Sequence, residues 1–62
     1  MTPSQREALE YAAKFGGRIP LMTRANTTMA LYSRHWIDEN DRITIVGRQA
    51  LDAERAKDAV PR

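Results

Sequence analysis

The 62-residue sequence contains no cysteine, a single histidine and only three glycines. Without cysteine, the chain has no disulfide bond and no thiolate ligand for a metal. His35 has no second histidine and no convergent acidic pair at ligand spacing, so a zinc site is not expected. Gly16 and Gly17 are followed by Arg18 rather than by a helix, which argues against a glycine-rich phosphate loop. We therefore expect neither a metal nor another cofactor.

Long apolar runs are also missing, and so are the groups of side chains that catalysis requires. No stretch approaches the length of a membrane span, and Met1–Ser4 does not resemble the start of a signal peptide. Ser4 and Ser33 have no recognisable base and orienting acid. We expect a cytoplasmic protein that has no membrane partner and is not an enzyme.

The chain is too short for more than one domain or for a large core. A domain of about 60 residues buries only roughly 60% of the surface of its unfolded chain, so its stability is marginal. We expect residues 1–62 to form a single domain, and self-association is one way to bury more surface. A tyrosine in a small domain is more often a core residue than a stacking platform for nucleic-acid bases, so we expect Tyr32 to contribute to the core. The predicted core consists of Leu9, Phe15, Ile19, Leu21, Met29, Leu31, Trp36, Ile37, Ile43, Ile45 and Leu51.

Strong start and stop signals predict a first helix over residues 3–15. Thr2 and Gln5 have the spacing of a capping box, and Pro3 suits the first helical position. Alanines, Leu9 and Phe15 then recur at helical spacing. The two glycines that follow favour the left-handed conformation that ends a helix.

A second helix is predicted to begin at Asn26 and to run to Arg34 or His35, because asparagine is a good N-cap. The stretch before it, residues 18–26, is harder to interpret. Ile19 precedes Pro20 and is therefore biased toward extended geometry. We expect an extended piece over residues 18–20, followed by a turn or a very short helix.

A hairpin and a third helix are predicted for the rest of the chain. Residues 36–38 and 42–46 read as two strands around a polar turn, with Ile43 and Ile45 on one face. From Gly47 onward, alanine, leucine and charged residues return to a helical rhythm. The predicted fold class is α+β, with two to three helices and a small antiparallel hairpin or sheet.

Charge is modest in amount but uneven in distribution. The net charge is +2, and eight of the ten basic residues are arginine, which suits planar recognition of phosphate or carboxylate. No acidic residue lies between Leu21 and Ile37, a segment that contains Arg24 and Arg34. This distribution is compatible with a nucleic-acid partner.

Four segments together resemble a reduced winged-helix domain of the small bacterial or phage type. Ser4–Glu10 resembles the opening helix of that family, and Ala30–Ile37 resembles the end of its recognition helix. Arg42–Ile45 and Gly47–Leu51 are similar to the wing strand and the following helix, with the family's Gly-Arg-x-Ala-Leu pattern. Compared with that family, the chain is shortened, because only residues 18–26 separate the first helix from the recognition helix.

The resemblance implies a DNA-binding regulatory protein, without fixing whether it acts as a monomer or a homodimer. The Asn26-led helix would enter the major groove, and arginines around it would contact phosphates. The residues implied are Arg18, Arg24, Thr27, Thr28, Met29, Arg34, Arg42 and Arg48. The alternative is a phage- or plasmid-type binding module or inhibitor that uses the same fold to bind a host protein. Acidic residues in the turn of the hairpin argue against that turn entering a DNA groove.

Overall fold

The structure, a computed structural model, describes residues 1–58 as three α-helices. They are α1 (Pro3–Lys14), α2 (Ala25–Ser33) and α3 (Ile45–Asp58). This part of the chain contains no β-strand, only two isolated antiparallel bridges, Arg18–Arg42 and Ile37–Ile43. The predicted α+β fold with a hairpin is therefore wrong, because the described fold is all-α. The predicted single domain extends over residues 1–62, and its last four residues lie outside the described range.

The first helix follows its local signals closely. The Thr2 hydroxyl accepts a hydrogen bond from the Gln5 amide at 3.2 Å, and the Gln5 side chain accepts one from the Thr2 amide at 3.1 Å. This capping box satisfies two of the amide donors that a helix N-terminus leaves open. Gly16 and Gly17 have φ angles of 81° and 89°, the left-handed conformation expected of a helix stop. The helix ends at Lys14, one residue earlier than predicted.

The second helix begins before the predicted cap. Arg24 is its N-cap and makes no side-chain capping hydrogen bond, while Asn26 lies inside the first turn. The prediction that Asn26 caps this helix is therefore wrong. The segment before it contains a buried Ile19 and a turn in which the Thr23 amide donates to the Pro20 carbonyl at 3.1 Å. The expected extended piece and turn are present, although the extended piece forms only one bridge.

The predicted second strand is divided between a bridge and the start of α3. Thr44 precedes the helix, and its hydroxyl accepts a hydrogen bond from the Gly47 amide at 3.0 Å. The same hydroxyl donates to the His35 carbonyl, which joins the end of α2 to the start of α3. Ile45 and Val46 consequently form the first helical turn, so the helix starts two residues earlier than predicted. Thr44 therefore caps a helix at the position where the alternating pattern had predicted a strand.

The core is small because α2 and α3 both pack on α1 and make no packing contact with each other. Trp36 and Ile43 are half-buried at its edge. Other predicted core residues are wrong: Phe15, Leu21, Met29 and Ile45 are exposed, and so is Tyr32. The buried hydrophobic residues are Ala8, Leu9, Ala12, Ile19, Leu31, Ile37 and Leu51.

Ion pairs join α1 to α3 on one side of the molecule. Arg6 pairs with Glu10 at 2.8 Å and also with Asp58, and these two carboxylates raise the pKa of the Arg6 guanidinium above its usual value. The α-amino group of Met1 lies 3.4 Å from Glu54. This side of α3 is therefore close to electrically neutral. None of the three helices described is long and apolar enough to cross a membrane.

Candidate nucleic-acid interface

Arg18 and Arg42 lie directly opposite each other across an antiparallel bridge. The hydrogen bonds run between their neighbours, from the Ile19 amide to the Asp41 carbonyl at 3.0 Å and from the Ile43 amide to the Gly17 carbonyl at 2.7 Å. This pattern defines a non-hydrogen-bonded pair, in which the Cα atoms are about 4.5 Å apart and the side chains leave on the same face. The backbone therefore makes the two arginine side chains start side by side on one face.

The two arginines point outward because the residues that follow them point inward. Ile19 is buried and Ile43 is half-buried against the core, while Arg18 and Arg42 are exposed. The Arg18 Nε atom donates to the Asn40 carbonyl at 3.4 Å. Neither arginine forms an ion pair with an acidic residue among residues 1–58. We refer to these two residues as the bridge arginines.

The turn beside the bridge arginines is acidic, but the carboxylate of Asp38 already accepts hydrogen bonds from the backbone of the turn. Asp38 Oδ1 accepts hydrogen bonds from the amides of Asn40 at 2.8 Å and Arg42 at 3.1 Å. The Asp41 amide donates to the Asp38 carbonyl at 3.1 Å, and Asp41 has a φ of 60°. Asp38 thus fixes the turn that presents Arg42. Within the described range, no three His, Cys, Asp or Glu side chains are grouped to hold a metal ion.

Arg34 follows the last residue of α2, and its guanidinium lies over a tryptophan ring. Its guanidinium carbon is 5.2 Å from the centre of the Trp36 ring. A cation over an aromatic face is attracted to the ring and still has N–H groups that can donate to a phosphate. Trp36 therefore limits the orientations that Arg34 can adopt, although Arg34 itself remains exposed.

The α2 residues that were predicted to read DNA bases are not grouped on one surface. The Thr28 hydroxyl donates to the Arg24 carbonyl at 3.2 Å, so its donor is used within the helix. Met29 is 67% exposed but offers no hydrogen-bonding group except a weak thioether acceptor. Arg24 and Thr27 line a groove that separates α2 from α1. Arg48 is exposed in the second turn of α3.

The groove between α1 and α2 was missed by the sequence interpretation. Its volume is about 390 Å³, and one wall consists of the α1 residues Ser4, Glu7, Ala8 and Tyr11. The opposite wall includes Met22, Arg24 and Thr27. The spacing of the four α1 residues, which all lie on one helical face, was the signal available in the sequence.

The structure thus brings together two pairs of the predicted residues, the bridge arginines and the groove residues Arg24 and Thr27. It does not assemble all eight into one binding surface around α2. Comparison with protein-family models, with curated proteins and with solved structures finds no match for this chain.

Proposed function

We propose that the protein binds duplex DNA through its phosphate backbone, with the bridge arginines as the main contact. The observation that carries the proposal is the position of Arg18 and Arg42, which are exposed, adjacent and on one face. Two like charges held directly opposite each other repel and weaken the fold. A bound phosphate relieves that repulsion, because a guanidinium donates paired N–H groups to phosphate oxygens.

The distribution of ion pairs supports the same proposal. Arg6 is engaged by two carboxylates, and Lys57 lies 3.6 Å from Glu54. In contrast, no ion pair within residues 1–58 involves Arg18, Arg24, Arg34, Arg42 or Arg48. The arginines implied by the resemblance therefore keep their charge available for an external anion.

This proposal assigns binding to the backbone of DNA rather than to its bases. Phosphate contacts determine where a protein sits on a duplex, whereas contacts with base edges determine which sequence it prefers. Thr28 uses its donor inside α2, and Arg24 and Thr27 lie along the groove beside α1. We therefore expect binding with little sequence preference, in the range of about 10⁻⁴ to 10⁻⁶ M at physiological salt.

Fluorescence anisotropy with a labelled duplex of random sequence tests the proposal. The double variant Arg18→Ala/Arg42→Ala should bind at least about tenfold more weakly at low salt, since a hydrogen bond to a charged group is worth roughly 1.5–3 kcal/mol. Its melting temperature should be unchanged or slightly higher, because the repulsion between the two cations is removed.

Arg55→Ala provides the matched control for that experiment. Arg55 is also exposed, but it lies in the last turn of α3, outside the predicted binding residues. We expect this single variant to retain close to wild-type affinity. Equal losses of affinity for each positive charge removed, in the control and in the double variant, would show that binding depends on overall charge and not on the bridge arginines.

A protein-binding module is the second candidate, and the exposed face of α2 favours it. Met29 and Tyr32 are three residues apart on this helix and are 67% and 53% exposed. Adjacent exposed apolar side chains are typical of surfaces that bind other proteins. This candidate predicts no affinity for duplex DNA even at low salt, so the same titration distinguishes the two functions.

A further inference from the structure

A second surface, independent of the bridge arginines, lies along the groove between α1 and α2. Ala8 is buried at this groove, while Tyr11 and Met22 project from its two walls. Met22 is 92% exposed, an unusual state for a large apolar side chain. An apolar groove with projecting side chains is typical of a surface that is covered by a partner.

The apolar surface continues past the groove along α1. The rings of Tyr11 and Phe15 have centres 4.9 Å apart, and Phe15 is itself exposed. Lys14 lies over the outer ring, 5.5 Å from its centre. Two aromatic side chains and a methionine thus form the apolar part of a surface that this chain leaves uncovered.

The polar residues of the groove carry opposite charges on opposite walls. Glu7 belongs to the α1 wall, and Arg24, the N-cap of α2, belongs to the opposite wall. Neither residue forms an ion pair within the described part of the chain, and both are exposed. The surface therefore has one anion and one cation that form no ion pair within residues 1–58, together with exposed apolar side chains.

We infer that a second copy of this chain covers the groove in a twofold-symmetric dimer. A twofold axis that runs along the groove brings each residue of one wall against the other wall of the partner copy, so the interface must be complementary to itself. A groove with Glu7 on one wall and Arg24 on the other meets this requirement, because two symmetric Glu7–Arg24 pairs form across the axis. Tyr11 and Met22 are buried between those pairs.

The size of the chain supports this occupant. A typical stable interface buries about 800 Å² on each partner, which is roughly one sixth of the 4741 Å² that this chain exposes. Domains of this length gain a large share of their stability from disulfides, metals or oligomerisation. Cysteine is absent, and no three possible metal ligands are grouped within residues 1–58, so this part of the chain has neither of the first two devices.

Charge reversal tests the pairing, with the oligomeric state measured by sedimentation equilibrium. Glu7→Arg and Arg24→Glu each place like charges across the axis, and each should weaken dimerisation at least about tenfold. An equimolar mixture of the two variants should form a heterodimer, because opposite charges then face each other at both positions. Far-UV circular dichroism should show a folded chain in all cases, since both positions are exposed.

Two further variants separate the groove from the rest of the surface. Met22→Ser removes apolar area without changing charge and should also shift the equilibrium toward monomer. Glu39→Arg reverses a charge in the turn beside the bridge arginines. This residue does not line the groove, so the variant should leave dimerisation unchanged. A wild-type chain that stays monomeric up to about 1 mM, or single variants that do not combine into a heterodimer, would overturn the inference. The DNA titration measures a different property from sedimentation, so DNA binding and dimerisation can each be disproved without the other.

Discussion

Gly47 shows how much one residue controls the junction between α2 and α3. It is buried in the first turn of α3, where a Cβ atom would lie 2.1 Å from the Trp36 carbonyl oxygen and 3.0 Å from Ile43 Cγ1. The first distance is far inside van der Waals contact, and it involves backbone that cannot rotate away. Glycine is required here by close packing and not by an unusual φ.

Replacement of Gly47 by alanine should therefore destabilise the fold, although alanine is the better helix former. The expected loss in the free energy of unfolding is about 1–3 kcal/mol, which is the usual range for overpacking. Urea denaturation measures it directly. Gln49→Ala, at an exposed position two residues later in α3, should change stability by less than about 0.5 kcal/mol. A wild-type midpoint for Gly47→Ala would show that α3 approaches the Trp36 carbonyl less closely.

At the scale of elements, the start of the first helix could be predicted and the start of the third could not, for a physical reason. The start of α1 depends on Thr2 and Gln5, which contact each other within one turn, and its end depends on two adjacent glycines. The start of α3 depends on Thr44, whose hydroxyl donates to the His35 carbonyl. That contact forms only after the segment that follows α2 meets the segment that precedes α3, so the β-branched pattern around Thr44 indicated a strand instead.

The sequence likewise predicted one part of the candidate binding site and missed another. Composition and spacing identified the arginines as the residues to consider, and the structure leaves them exposed. The pairing of Arg18 with Arg42 joins segments far apart in sequence, across a bridge too short to leave a strand pattern. The groove was missed because one wall comes from α1 and the other from residues 20–27, and only the tertiary structure brings Glu7 and Arg24 to the same surface.

The caps of α1 and α2 provide a matched pair of tests. Thr2→Ala removes the hydroxyl that accepts from the Gln5 amide, and we expect it to lower the free energy of unfolding by about 1 kcal/mol. Asn26→Ala should change it by less than about 0.5 kcal/mol, because Asn26 lies inside the helix and alanine has the higher helix propensity. Thermal melts of both variants measure the difference. A larger loss for Asn26→Ala would restore Asn26 as the cap of α2.

At the scale of the molecule, the two proposed surfaces are compatible and reinforce each other. The bridge arginines lie where residue 18 pairs with residue 42 in an antiparallel bridge. The groove lies elsewhere, between α1 and the start of α2. A dimer formed through the groove therefore carries two copies of the bridge pair. Four arginines held in one rigid particle give a stronger electrostatic attraction to a duplex than two, and this attraction depends steeply on salt.

The dependence of DNA affinity on salt therefore reports the oligomeric state. Each phosphate contact contributes about −0.9 to the slope of log K against log salt concentration, so a dimer with four contacts should give about −3.6 and a monomer about −1.8. Glu7→Arg and Arg24→Glu should both give the monomer slope, although one adds positive charge and the other removes it. Their equimolar mixture should recover the dimer slope. Anisotropy titrations at several salt concentrations measure all four samples, and a common slope would mean that a single chain makes every DNA contact.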